Sequence, residues 1–279
     1  MTDALIVLGV SLAVVVVAMS VTALIAWRAG RVAVVDVFWG LGFVLVAVVC
    51  ALLAPLVGGG WVAWLVAGLV LVWGGRLARH IGRRARGHGE DPRYAELLSP
   101  HTPEADRRAW FAAAVRKVFV VQAVAVWVVS LPVQAAALGP AEWPWLAAVG
   151  TAVWLLGFVF ESVGDAQLAA YKRDPDRGPV MDRGLWAWTR HPNYFGDACV
   201  WWGIWLVAAS TGWLPALLTV VAPVAMTWFL AFATGAKLLE RSMMQRPGYP
   251  EYAARTSMFV PLPPRRRGAA AAPGVDPRA

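Results

Sequence analysis

The chain has 279 residues, of which 59% are hydrophobic and 15% charged, and it carries a net charge of +8. So apolar a composition excludes an ordinary soluble domain and fits a bundle of membrane-spanning helices. Both cysteines, Cys50 and Cys199, fall in apolar segments, which argues against a disulfide framework.

A spanning helix needs roughly 20 apolar residues. In chain order the candidate segments are 4–27, 33–57, 61–77, 111–131, 143–163, 198–209 and 213–236. The first has Asp3 and no basic residue ahead of it, so it reads as a span and not as a cleaved signal peptide. The sixth is short for a span and pairs with the seventh as a hairpin broken near residues 210–212. The expected fold is therefore all-α: a polytopic membrane protein of seven transmembrane helices in one domain, 1–262. The tail, 263–279, is rich in Pro, Ala and Arg and is expected to be disordered.

Charge sets the expected orientation. With the N-terminus outside and the C-terminus cytoplasmic, the inner segments 28–32, 76–117, 165–195 and 237–279 hold 2, 10, 5 and 8 of the 25 Lys and Arg. None is left for the outer connections, which is the bias expected of cytoplasmic loops. The net positive charge then reads as topology and as contact with anionic lipid head groups. Nucleic-acid binding is not expected, because no basic stripe is interleaved with exposed aromatics. The excess of Arg over Lys, with much Ala and Val, suggests GC-rich coding DNA and a bacterial source, with the protein in the inner membrane.

Five carboxylates sit at or within helix ends: Asp36, Glu161, Asp165, Asp197 and Glu240. On this topology all lie toward the cytoplasm, where one polar chamber would let a soluble cofactor meet a membrane-dissolved substrate. Glu161 and Asp165 are four apart and share a helix face, which Lys172 continues if the helix runs on. Both also suit helix-end solvation, or pairing with Arg173 or Arg190. The third helix ends in W-G-G-R-L-A-R-H-I-G-R-R, with Arg76 and His80 on its exit turn. Arginines there also serve as interfacial anchors. The stretch 183–206 packs Arg190, His191, Asn193, Tyr194 and Asp197 into eight residues, then turns apolar. Polar groups at the mouth of a membrane helix need a polar partner, and a ligand is one such partner. The four histidines lack zinc-ligand spacing, so no metal is expected. No G-x-G-x-x-G follows an expected strand, so any dinucleotide must bind without a Rossmann domain.

These residues resemble a family. D-x-F-W-G at 36–40, W-G-x-R-L at 73–77, E-D-x-R-Y at 90–94, E-x-x-x-D-x-Q at 161–167, G-L-W-x-x-x-R-H-P-N-Y-F-G-D at 184–197 and Y-x-x-Y-x-x-x-T-S-x-F-V-P at 249–261 look like the bacterial DUF1295 family. That family is similar to the C-terminal part of steroid 5-alpha-reductases. The resemblance implies a seven-helix fold that holds NADPH in a cytoplasm-facing cavity while a hydrophobic enone enters from the lipid; the expected partners are that substrate and membrane lipid, with the chain as a monomer. By position, Asp165 matches an acidic residue near the adenosine half, and Lys172 a basic residue near the phosphates. Asn193 matches an asparagine near the nicotinamide amide, with Asp197 replacing the glutamate that follows it. Tyr252 matches a cofactor-contacting tyrosine. Glu161, Arg190, His191 and Tyr194 complete the expected cofactor set. The reductases polarise the substrate carbonyl with a Glu–Tyr pair. Here Asp36 is the nearest carboxylate, and the tyrosine has no clear counterpart, so His80 or Arg76 is the candidate substitute.

Two rival readings stand beside this one. R-H-P-x-Y is shared with isoprenylcysteine carboxyl and phospholipid methyltransferases, so an S-adenosylmethionine-dependent lipid methyltransferase is the enzymatic alternative. A non-enzymatic lipid-binding or transport protein is the other; neither an inverted repeat nor midplane polar residues favour it.

Overall fold

A computed structural model describes residues 2–264 except Thr234. It contains helices and, among the described residues, no strand. The helices are α1 (Thr2–Ala29), α2 (Val34–Leu53), α3 (Trp61–Arg84), α4 (Pro92–Leu98), α5 (Arg107–Ala114), α6 (Val120–Val129), α7 (Leu131–Ala135), α8 (Pro144–Arg173), α9 (Pro192–Ala209), α10 (Trp213–Thr219), α11 (Val221–Trp228), α12 (Ala236–Met243) and α13 (Tyr249–Arg255). A π turn, Val115–Phe119, joins α5 to α6, and a second, Phe229–Ala233, follows α11.

Six stretches among the described residues are long and apolar enough to cross a membrane: Thr2–Ala29, Val34–Leu56, Trp61–Arg84, Arg107–Val129, Pro144–Arg173 and Trp213–Met243. Their outward faces carry large apolar side chains such as Leu5, Val17, Leu52 and Leu218, a surface suited to lipid and not to water. The protein is therefore a membrane protein. Six of the seven expected spans meet that measure of length and apolarity. The remaining expected span lies in α9, which has 18 residues and begins six positions earlier, at Pro192. Pro at the first helical position needs no N–H partner, so the helix can start inside the polar R-H-P-N-Y string. The expected hairpin break is where Gly212 sits, at φ 136 between α9 and α10. The basic tail from Arg265 lies outside the described residues.

The chain divides into two compact units, Met1–Trp154 with Trp201–Met226 and Leu155–Val200 with Thr227–Ala279. In the first, α1 ends at Gly30, whose φ of +66 suits only glycine well, and the Arg31 N–H returns to the Ala26 carbonyl to close the helix. Helices α2 and α3 cross at two glycines. A Cβ on Gly40 would stand 2.6 Å from the Gly74 carbonyl oxygen, and one on Gly74 equally close to that of Gly40. This explains a glycine in both D-x-F-W-G and W-G-x-R-L: each lets the other's helix approach. Beside the crossing, Phe43, Trp73 and Trp201 are fully buried, with ring centroids 4.5–5.8 Å apart. In lipid such a cluster holds by dispersion and close fit, because the surrounding tails are themselves apolar. Side-chain hydrogen bonds tie the same unit inside the span. Trp127 Nε1 donates to the Leu8 carbonyl at 3.2 Å, and Gln134 Nε2 donates to Ser11 Oγ at 3.1 Å.

Glycines every seven residues pack α8 against α9. Within the first unit a Cβ on Gly150 would meet Val207 N at 2.6 Å. Within the second, one on Gly157 would meet the Gly196 carbonyl oxygen at 2.5 Å. Helix α8 has 30 residues, about 45 Å, and runs past any bilayer core to Arg173. Asp165 and Lys172 are thus on one continuous helix, as the spacing requires.

Candidate functional site

In the first unit the polar residues gather where α2 begins. Local sequence provides no side-chain cap there: Ala33 precedes the first turn. Glu90 supplies one from 57 residues away, accepting from Val32 N at 2.5 Å and Ala33 N at 2.9 Å. Four free N–H groups open every helix, and a carboxylate on them also suits the helix dipole. Arg31 Nη1 donates to the His88 carbonyl at 2.7 Å, so the 88–90 segment is held at both ends. Asp91 then caps α4 by accepting from Arg93 N at 2.9 Å, with Pro92 at the first helical position.

That capping places Tyr94 on Asp36. The Tyr94 hydroxyl donates to Asp36 Oδ1 at 2.5 Å. Arg93 reaches Asp36 Oδ2 at 3.4 Å while holding Asp91 Oδ2 at 2.9 Å. The Tyr94 ring lies in a core with Leu98, Trp110, Phe38 and Phe119, which fixes the phenol's aim. Burial, and the Asp36 carboxylate beside it, push the Tyr94 phenol well above its usual value, so it keeps its proton. The hydrogen bond from Arg93 holds the Asp91 carboxyl below its usual value.

The partner expected for Asp36 was His80 or Arg76; the partner found is Tyr94. Both expected residues lie half-buried on α3, in the turns after the Gly74 crossing. A tyrosine does stand beside Asp36, and it comes from E-D-x-R-Y. Nothing local reveals it, because the contact joins residues 58 apart in sequence.

In the second unit the R-H-P-N-Y string forms an internal clamp. Arg190 Nε donates to Glu240 Oε1 at 2.6 Å and Nη2 to Oε2 at 2.9 Å. Arg190 Nη1 donates to the carbonyls of Ala253, at 2.8 Å, and Thr256, at 2.5 Å. His191 Nε2 lies 3.0 Å from Glu240 Oε1, and the imidazole stacks on the Tyr194 ring. The Tyr249 hydroxyl reaches the same carboxylate at 3.4 Å. Burial opposes the charge on Arg190, but the Glu240 carboxylate outweighs it and holds the guanidinium above its usual value. Tyr252, expected at the cofactor, donates to the Trp186 carbonyl at 2.6 Å. The T-S-x-F-V-P segment runs beside residues 188–190: Arg190 N donates to the Ser257 carbonyl at 2.8 Å, and Thr189 Oγ1 to that of Phe259 at 2.9 Å. Gln167 accepts from Leu185 N at 3.0 Å, securing the turn at Gly184. Much of the densest motif is thus engaged in folding α12, α13 and the C-terminal strap onto the start of α9.

Three acidic residues remain near that start. Glu161 and Asp165 on α8 and Asp197 on α9 are all buried. Asn193 Nδ2 donates to Asp165 Oδ1 at 3.2 Å. Gly196 permits this, since a Cβ there would stand 2.4 Å from Glu161 N. Lys172 lies seven residues beyond Asp165, near the end of α8. Beyond these, the second unit has an open cavity of about 490 Å³ lined by Gln167, Tyr171, Asp174, Arg177, Asp182 and Arg183. Its size falls within the usual range of ligand pockets. Gln167 appeared in a motif and Arg183 at the edge of the polar stretch, but none of these lining residues was expected at a ligand; loop 174–183 has no periodicity to announce it. Among the described residues no group of His, Cys, Asp and Glu could hold a metal.

A model of the family described as "Protein of unknown function (DUF1295)" matches residues 22–256. No curated protein and no solved structure matches the chain.

Proposed function

The chain belongs to the DUF1295 family, and from that footing we propose that it is a membrane-embedded, NADPH-dependent reductase. Its substrate is a lipid-soluble molecule with a C=C bond conjugated to a carbonyl, and its polar groups face the cytoplasm of a bacterial inner membrane. The observation that carries this reading is the Tyr94–Asp36 hydrogen bond of 2.5 Å. Reducing an enone places a hydride on the β carbon and moves the C=C electron pair onto the carbonyl oxygen. A donor must meet that oxygen as its charge develops. The Tyr94 phenol, kept protonated by burial, has one O–H, which Asp36 accepts and so holds in place; substrate binding would turn that O–H from Asp36 to the carbonyl oxygen. A solvent proton added at the α carbon then restores the carbonyl and lets the phenol recover its own proton, which completes saturation.

The cofactor's part is to supply the hydride. Residues in the second unit suit a dinucleotide in part. The 490 Å³ cavity has the Arg183 guanidinium for a phosphate and the Asp174 carboxylate for ribose hydroxyls, while Arg177 also donates to the Lys172 carbonyl and Asp182 is paired with Arg255. Asp165 and Asn193 form a second polar pair, with Lys172 farther along α8. Arg190 and Tyr252 already bind protein groups, so their proposed role is to brace the segment carrying Asn193.

Calorimetry on the purified full chain with NADPH, NADH and S-adenosylmethionine tests the reading. Micromolar binding of NADPH alone is the expected result. Binding of S-adenosylmethionine with none of NADPH would replace the reductase by a methyltransferase. Binding of neither would remove the enzymatic reading.

A further inference from the structure

Helix α3 keeps one exposed face along its whole length. In its apolar part that face shows Trp64, Leu71 and Val72, each more than half exposed. Arg79 and Arg83 follow on the same face at the helical repeat, and Arg86 comes three residues later, just past the helix end. All three arginines are exposed, and no hydrogen bond or ion pair engages their guanidiniums among the described residues. Arg84, between them, falls off this face by the helical repeat.

The face that looks into lipid along the apolar part of α3 still looks outward where the arginines emerge. At that level a bilayer presents phosphates. Arg79 and Arg83 are one turn apart, about 6 Å along the axis, a spacing that lets two planar forks reach one headgroup. Guanidinium binds phosphate through paired N–H bonds, and basic side chains beside a membrane are drawn to anionic lipid. We propose that Arg79, Arg83 and Arg86 form a binding surface for the phosphodiester headgroup of an anionic phospholipid in the leaflet at the C-terminal end of α3.

The test reconstitutes the full chain into nanodiscs of phosphatidylcholine, alone or partly replaced by phosphatidylglycerol, and measures retained lipid by native mass spectrometry and Tm by intrinsic fluorescence. Phosphatidylglycerol should raise the Tm of the natural chain and be retained in preference to phosphatidylcholine. Removing the charges in R79Q/R83Q/R86Q should lower that retention roughly fivefold per arginine and abolish most of the Tm gain. R79K/R83K/R86K, which keeps the charge, should retain part of both and shows that the fold survives substitution. R108Q/R241Q/R246Q removes equal charge from exposed arginines elsewhere and should behave as the natural chain does. Equal losses in the two glutamine triples would reduce the effect to net charge and overturn the proposal. So would an unchanged lipid preference in R79Q/R83Q/R86Q, or inorganic phosphate at matched ionic strength giving the same Tm gain as the lipid.

Discussion

Two carboxylates in this chain are each held by an arginine and a tyrosine, one in each unit. Glu240 receives two bonds from Arg190, one contact from His191 and one from Tyr249, and the pair's side chains are 11% and 13% exposed. Asp36 has one close donor, Tyr94, and one long contact from Arg93, whose side chain is 52% exposed. A carboxylate whose lone pairs are all met inside the fold is a structural tie. Asp36, with one close donor and one long contact, keeps acceptor capacity that the fold leaves unfilled. The motif richest in polar residues surrounds the structural tie, and the shorter E-D-x-R-Y supplies the phenol. Polar density in a sequence therefore marks where bonds are needed, and only partner geometry shows which carboxylates the fold itself saturates.

The contrast can be broken in several ways. The largest effect is expected for Asp36→Asn, which should lower turnover by about 10²–10⁴-fold while NADPH affinity stays unchanged. Tyr94→Phe should act in the same direction. Turnover equal to that of the natural chain in either variant would take the pair out of the reaction. Arg190→Ala leaves the partly buried Glu240 carboxylate without its bidentate partner, with only His191 and Tyr249 on it, which costs about 1–3 kcal/mol. It should appear as low folded yield and a lower Tm in detergent; an unshifted Tm would show that the clamp does not brace the unit.

Glycine packing gives a middle-sized test. Gly196→Ala drives a methyl into the backbone of α8 and should destabilise by about 1–3 kcal/mol. Gly68→Ala, where nothing stands within 4 Å, should be neutral or raise the Tm slightly. Equal shifts in the two variants would contradict the close helix approach.

The smallest effect concerns Asp91. Its folded pKa lies below the usual 3.8, so its contribution is fully present above that value and is lost as pH falls through the folded value. The Asp91 side chain is partly exposed and Arg93 more so, so solvent screening limits the effect to about 1 kcal/mol or less. The Tm difference between the natural chain and Asp91→Asn should be constant near neutral pH and shrink in acid. A difference that grows in acid would reverse the assigned sign.

Much of this was legible in the chain itself. Runs of apolar residues located the long helices, because in lipid a backbone can satisfy its own polar groups locally only as a helix. Glu161 and Asp165 were legible as one helix face, whereas the continuation that adds Lys172, open in the sequence, is a finding of the structure, where α8 runs to Arg173. The family followed from six short motifs. What the sequence could not convey was pairing. Asp36 stood out as a carboxylate at a helix mouth, yet its partner came from α4, a helix of seven residues too short to show periodicity. Arg190 and Tyr252 looked like ligand groups, and only the return of the C-terminal segment to residues 188–190 revealed carbonyls already bonded to them.

The division has a physical cause. Hydropathy and helix spacing are properties of consecutive residues, so the chain alone determined its membrane character, its helical class and the side of each helix that carries charge. Which donor meets which acceptor depends on how segments dozens of residues apart are brought together. That was decided by the glycine crossings of Gly40 with Gly74 and Gly157 with Gly196, and by remote caps such as Glu90 on α2.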